Sequence, residues 1–399
     1  MRLPRLPLVT ALALLLFFAY ITGIRLAYSL FYALVLLLVV SWVWSRIVGE
    51  NLSLERLSPE GQFQVGDPFE ERFSVENRSW VPVAALELVD FSSLPGYDPG
   101  RVFALKGRRS RAWTARGEFK QRGLFTFGPV ELRYGDPFGL FPRTLRVPGS
   151  RSVVVYPVLR SVAHLEALAP SVAGDEQARG RLVDLPPNAT TIREYVPTDS
   201  FKRIHWSSSA RLGRLMSRSF ETREGGDAWI VLDLEARVHA GEAPNSTLEY
   251  AISLAASINA QVHSQGRQVG LITNDSRGTV LTPHRAFRLE RAVLEYLAIA
   301  QADGDLPIHS YQIWDKIRKL PGRMIALITP STDAGWLRNL EAIPHKRTAR
   351  VAFYIDAASF GAPEPHLSFD LHSDVELFVV RKGDDFSRLM RTRNAVRLV

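Results

Sequence analysis

The sequence predicts three architectures in succession: two N-terminal transmembrane helices, an all-β sandwich-like domain and an α/β doubly wound domain. Three observations predict this order. Two apolar runs open the chain, residues from about 50 to 165 form short strands split by turn signals, and from Ala228 apolar strands alternate with helix-period segments. With 399 residues, each domain can bury its own core, and 46% apolar with 23% charged residues excludes a disordered chain. The sequence has no cysteine, which excludes disulfides, thiolate metal sites and cysteine nucleophiles.

The apolar runs extend from Leu6 to Ile24 and from Leu26 to Trp44. Each gives about 28 Å of helix, close to the thickness of a bilayer core. Gly23 and Arg25 at the break suit a tight hairpin, and Trp42, Trp44 and Arg46 close the second run as an interfacial anchor. Arg2, Arg5 and the α-amino group precede the first run. The positive-inside bias then places both ends and the soluble domains in the cytoplasm, with Arg25 in the turn opposing it. The competing reading is a cleaved signal peptide, but no Ala-x-Ala site follows the first run. The resulting division is a transmembrane hairpin at 1–48, the β domain at 49–168, a linker and charged segment at 169–226, and the α/β domain at 227–399.

In the β domain, strands are expected at Phe63–Val65, Phe69–Val75, Val81–Val89, Arg111–Ala115, Gly123–Phe127, Val130–Arg133 and Val153–Tyr156. Short strands at this spacing, with no helix, indicate a small antiparallel sandwich. The turn Gly135–Phe141 uses Gly135 and Gly139 for its dihedrals, and Phe138 and Phe141 are expected to fold back as plugs. In the α/β domain, Ala228–Leu234 is apolar on both faces, as a covered parallel strand must be. A helix follows from Thr247 to Val262, with one stripe of Leu248, Ala251, Leu254, Ala255, Ile258 and Val262. Strands at Val269–Thr273, Met324–Thr329, Val351–Ile355 and Val375–Val380 alternate with helices at Leu289–Ala300, Trp336–Ile343 and Asp384 to about Arg393. This order predicts an open doubly wound sheet.

The densest chemistry lies between Arg193 and Glu221, and it admits three readings. In the first, Thr198 or Asp199 caps a short helix whose Phe201, Ile204 and Trp206 pack inward. Arg193, Arg203 and Arg211 then pair with Glu194, Asp199 and Glu221. In the second, Arg193, Glu194, Tyr195, Asp199, Arg203, His205, Trp206, Arg211 and Glu221 form a plate that docks a partner or a neighbouring domain, since Trp, Tyr and Arg anchor interfaces. In the third, Glu194, Asp199 and His205 act as the acid/base set of a hydrolase-type enzyme. The enzyme reading lacks a strained Ser elbow, a second His at metal-ligand spacing and a Gly-rich phosphate loop. No cofactor is expected.

The same stretch, Arg193-Glu-Tyr-Val-Pro-Thr-Asp-Ser-Phe-Lys-Arg-Ile-His-Trp206 and on to Glu221, resembles the signature of the bacterial membrane-protein family called domain of unknown function 58. The block Arg122–Pro129 with Gly135–Phe141 is similar to a second block of that family, and Thr198 departs from its usual Gly. The resemblance implies a von Willebrand factor type A-like α/β domain. It also implies a membrane-anchored accessory protein of a MoxR-type AAA+ ATPase, often beside a transglutaminase-like membrane protein, in protein assembly, maturation or envelope stress. Von Willebrand-type domains often hold Mg²⁺ through Asp-x-Ser-x-Ser; the matching Asp233, Glu235 and Arg237 put a cation where a ligand oxygen belongs. No metal is therefore expected, and Asp233 is read as capping a turn at the sheet edge.

Residues 101–122 hold eight Lys or Arg and one acid, Glu118. No nucleic-acid-binding motif accompanies them. A bilayer with anionic lipid, an acidic partner and an ordinary solvent-facing strand are three readings of this run.

Overall fold

The computed structural model describes residues 5–163, 190–194, 206–220, 228–282, 289–318, 324–343, 348–363, 367–369, 375–392 and 396–398. Contacts divide the chain into two units, Met1–Tyr156 and Pro157–Val399.

In the first unit, α1 (Arg5–Thr22) and α2 (Arg25–Glu50) meet at Gly23, whose φ of 63° makes the turn. Among the described residues α2 is the one helix long and apolar enough to cross a bilayer; the apolar part of α1, Leu8–Thr22, is shorter. The strands are β1 (Leu52–Leu57), β2 (Phe63–Gln64), β3 (Pro68–Asn77), β4 (Val83–Asp90), β5 (Arg101–Leu105), β6 (Arg109–Glu118), β7 (Gly123–Phe127), β8 (Val130–Tyr134), β9 (Arg143–Val147) and β10 (Arg151–Tyr156). They form sheets ordered β1-β3-β6, β2-β10-β7 and β5-β4-β8-β9. Every pair is antiparallel except β2 with β10, which corrects the expectation of a purely antiparallel sandwich. The sequence pattern misses β1, β5 and β9 because they are half-exposed strands with charges, lacking a clean apolar alternation. The turn at Gly135–Phe141 is a second correction: Phe138 is exposed and Phe141 half-buried, so neither plugs the core. Asp136 holds that turn instead, accepting from the backbone N–H of Phe138 (3.1 Å) and of Phe141 (2.6 Å).

Strand β3 sends Phe69, Glu71, Phe73, Val75 and Asn77 inward. Glu71, 0% exposed, is thus an acid on a core register. Its carboxylate accepts from Arg56 Nε, from Ser58 Oγ at 3.0 Å and from Tyr97 Oη at 2.7 Å. The Arg56 guanidinium also reaches Asp90 (2.8 Å) and Ser92 (3.1 Å) and lies over the Phe73 ring. Burial, then the bond to Glu71, pushes the Tyr97 hydroxyl well above its usual range.

The second unit carries β11 (Thr190–Glu194), α3 (Trp206–Leu212) and β12 (Met216–Phe220), followed by β13 (Ala228–Leu232), β14 (Gly241–Glu242), β15 (Asn245–Ser246), α4 (Thr247–Ser264), β16 (Val269–Thr273), β17 (Val280–Leu281), α5 (Leu289–Ile299), α6 (Tyr311–Arg318), β18 (Met324–Thr329), α7 (Gly335–Glu341), β19 (Ala349–Ile355), β20 (Leu367–Phe369), β21 (Glu376–Val380), β22 (Arg391–Thr392) and β23 (Val396–Leu398). The main sheet is ordered β17-β16-β13-β18-β19-β21-β22, parallel from β16 to β21 with antiparallel edges. Alternate residues of β13 face opposite layers. Ile230 and Leu232 pack with α4 and α5 residues such as Leu254 and Val293, while Trp229 and Val231 pack with Trp314 of α6 and Trp336 of α7. The expected terminal helix at Asp384–Arg393 is corrected to a 3₁₀ turn at Phe386–Arg388 and the short strand β22. Phe386 and Leu389 are buried three apart, a spacing that imitates a helix, but the Asp385 carboxylate caps the N–H of Ser387 and the turn stops there.

Substituting Glu71→Ala is expected to destabilise the chain by about 3–5 kcal/mol, because it leaves the Arg56 cation buried beside Asp90 alone. Chemical denaturation of the detergent-solubilised protein measures this, and a loss below about 1 kcal/mol contradicts it.

Candidate functional site

Two assemblies of functional side chains stand out in the second unit. The first lies beyond the carboxyl ends of β13 and β18. Counting the seven strands of this unit's sheet in chain order from β13, the arrangement is 3-2-1-4-5-6-7, and β13 and β18 flank the point where the winding reverses. In open α/β sheets this is where ligands bind.

Asp233 sits at that point with 0% exposure. One carboxylate oxygen accepts from Asn274 Nδ2 (2.8 Å) and from the N–H of Glu235 (3.1 Å); the other accepts from Thr329 Oγ1 (2.6 Å). Thr329 in turn accepts from the N–H of Ser331 (2.9 Å), and Asn274 ties in the N–H of Leu234 and the carbonyl of Leu306. The ends of β13, β16 and β18 are thereby pinned to one buried carboxyl group. Burial pushes its pKa up, and the three donors oppose that shift.

His239 closes the other side. Its Nε2 lies 3.0 Å from the Asp233 carbonyl and its Nδ1 lies 3.1 Å from Thr247 Oγ1. A carbonyl only accepts, so Nε2 carries the proton and Nδ1 accepts from the threonine. Burial lowers the imidazole pKa, keeping the ring neutral, against the pull of Asp233. At the rim, Glu235 is buried, and burial followed by the Asp233 charge raises its pKa; Arg237 and His309 oppose. His309 Nδ1 lies 3.6 Å from Asp333 Oδ2. Arg237 is exposed. Among the described residues no group of three His, Asp or Glu side chains could hold a metal ion. The Asp233 oxygens accept from protein donors, and one of them accepts from the Glu235 N–H. The sequence pattern pointed to Asp233, Glu235 and Arg237 but not to Asn274, Thr329 or His239. The available signal was a polar residue at the end of each apolar strand, Thr329 in Leu-Ile-Thr-Pro-Ser and Asn274 in Leu-Ile-Thr-Asn-Asp.

The second assembly is the signature segment. Strands β11 and β12 pair antiparallel, setting Arg193 opposite Ser217 and Glu194 opposite Met216. Helix α3 is tied to β12 through Ser209, whose Oγ accepts from the N–H of Met216 at 2.8 Å. Trp206, expected to pack inward in the first reading, is 67% exposed, so that part of the reading is corrected. Arg211, Leu212 and Leu215 are exposed beside it in sequence. Tyr195, Asp199, Arg203, His205 and Glu221 lie outside the described residues, as do Thr198, Phe201 and Ile204.

Residues 191–348 match the model of the family described as Protein of unknown function DUF58. The uncharacterized protein YeaD of Bacillus subtilis (strain 168) is 26% identical over 196 residues, 48% of this chain and 46% of that protein. The chain thus spans about half the length of that curated relative. Among solved structures, a CARDB domain from Pyrococcus furiosus is 14% identical, covering 26% of this chain and 94% of that one, with a TM-score of 0.20. The complex of zinc 2-glycoprotein and prolactin inducible protein from human seminal plasma is 9% identical, covering 26% and 92%, with a TM-score of 0.21.

Because the His239 pKa is depressed, its contribution to stability is present above about pH 6.5 and is lost as pH falls towards the folded value. Thermal melts followed by the buried Trp229, Trp314 and Trp336 are expected to shift down between pH 7 and pH 5, and to shift less in His239→Gln, which keeps a donor and an acceptor. Equal shifts in both proteins contradict this role.

Proposed function

We propose, from the premise that residues 191–348 belong to the family of unknown function DUF58, that the protein is a membrane-anchored scaffold acting by protein–protein interaction. In this reading α1 and α2 are two membrane spans and both soluble units are cytoplasmic. The second unit is a von Willebrand factor A-like domain whose divalent-cation site is degenerate. The 3-2-1-4-5-6-7 order with the antiparallel edge β17 supports the assignment of the α/β fold. The partner is a MoxR-type AAA+ ATPase, with a transglutaminase-like membrane protein as a further component, and the work is assembly or maturation of other proteins.

The observation that carries the reading is the surface of α3 and its following turn. Trp206, Arg211, Leu212 and Leu215 are exposed within ten residues, on an element whose own anchor is the buried Ser209–Met216 contact. Exposed Trp, Arg and Leu on a pinned short helix match the composition of interface anchors rather than of a solvated face. The Asp233 cluster serves as the internal brace of the same domain.

Full-length protein and a MoxR-type ATPase of the same organism are expected to co-purify, and Trp206→Ala or Arg211→Ala is expected to weaken capture by about tenfold or more, with circular dichroism unchanged. Undiminished capture by both folded variants overturns the interface.

A further inference from the structure

The sandwich has a rim beside α2 that scaffold function leaves unused. Helix α2 runs straight into β1, and its last turns are part of the sandwich core: Trp44, Ile47 and Val48 pack with Phe73, Val81 and Val83. Trp44 Nε1 donates to the carbonyl of Pro82 at 3.0 Å. Trp44 lies six residues before the end of α2, so the Pro82 loop reaches back about 9 Å along the helix, towards its apolar part. The exposed Arg46–Glu50 pair lies on the water side of that level.

The exposed side chains at this end of the sheet are largely basic, with one indole among them. Asn77 ends β3 and faces Arg109, which begins β6; the N–H of Arg78 donates to the carbonyl of Asn51 (2.9 Å), just past α2. The N–H of Arg108 donates to the carbonyl of Ser79 (2.7 Å), and the Asn77 amide donates to the Val81 carbonyl, 2.9 Å away. These bonds gather Arg78, Trp80, Lys106, Arg108 and Arg109 on one rim, all exposed, with Trp80 at 69%. Glu76, paired with Arg78 at 2.9 Å, is the acid facing them. Four cations against one carboxylate, around an exposed indole two residues from the Pro82 carbonyl that holds Trp44, form the composition of a membrane–water interface.

We propose that this rim docks onto the anionic phospholipid headgroups of the bilayer entered by α2, with Trp80 at headgroup depth and the four cations on the phosphates. The inference rests on the membrane-anchored reading, which the test separates from it. Docking makes the α2–sandwich junction sensitive to lipid charge.

The chain has no cysteine, so single thiols can be placed on β6 at will. Ser110→Cys lies next to Arg109 and Glu118→Cys at the far end of the same strand, about 27 Å away. Each full-length variant, labelled with a fluorophore, is reconstituted into phosphatidylcholine vesicles with or without an equal amount of phosphatidylglycerol, both doped with a headgroup-nitroxide quencher. The expected result is quenching at position 110 several-fold above that at 118 in the anionic vesicles alone. It should fall to the level at 118 in high salt and in Lys106→Gln/Arg108→Asn/Arg109→Gln, where Asn is chosen because Arg108 has φ of 54°. Equal quenching at 110 and 118, or quenching at 110 that ignores lipid charge, overturns headgroup docking while carbonate-resistant flotation keeps the anchor. Carbonate extraction of the chain overturns both. Loss of ATPase capture by the triple variant, with no lipid quenching, assigns the rim to an acidic protein surface and also overturns it.

Discussion

The first unit depends on α2 being continuous with the sandwich. Asn51 closes the helix, its N–H donating to the carbonyl of Val48 and its side-chain amide to that of Ile47 at 2.8 Å, and β1 begins at the next residue. Ser41 and Ser45 are buried, small enough for sheet and helix to approach, and Arg143 Nε donates to Ser45 Oγ at 3.1 Å. Gly49 is the tightest point, because a Cβ there would meet the Tyr134 hydroxyl at 2.1 Å. A sandwich welded to a helix in this way has no hinge at its base. Its orientation to any bilayer is set by the helix rather than by a flexible linker.

Each unit also buries a carboxylate that it could replace with a hydrocarbon. Glu71 and Asp233 are both inaccessible, and each has three or more donors aimed at it. Desolvation cancels much of the Coulombic gain in such arrangements, so their effect falls on geometry more than on net stability. Glu71 fixes where Arg56, Tyr97 and, through Arg56, Asp90 must meet. Asp233 fixes three strand ends at the reversal of the sheet, where a domain of this order would otherwise leave an open crevice.

What the sequence reveals follows from how strongly burial constrains it. Strands β13, β16 and β18 are covered on both faces and read as unbroken apolar runs, so their place was legible to within a residue or two. Helix α6 was not read. It is short, and its buried Ile313, Trp314 and Ile317 are too few to set a period. The register of β3 made Glu71 readable as an inward acid, but its partner Arg56 lies on β1, which shows no alternation. The site was legible as a list of residue types and only partly as geometry. Asp233 could be placed at a strand end from the pattern alone. Its donors Asn274 and Thr329 come from strands 41 and 96 residues away, and only tertiary pairing brings them together.

Tryptophan completes the argument. Trp229, Trp314 and Trp336 are fully buried in the second unit, and Trp113 stacks on Phe73 in the first. Outside α2, only Trp80 and Trp206 of the described residues remain exposed. An indole left in water forgoes the large burial gain its neighbours collect, and its N–H suits a surface that is apolar on one side and wet on the other. The neighbours separate the two cases. The loop that carries Trp80 is tied to the end of α2 through Arg78 and Pro82, and exposed charged side chains flank it, the pattern of a headgroup layer. Trp206 shares a short helix with Leu212 and runs on to Leu215, with Arg211 between, the pattern of a protein anchor. The two exposed indoles therefore differ in their surroundings, one among cations and the other among leucines, and the proposed membrane and partner surfaces rest on that difference.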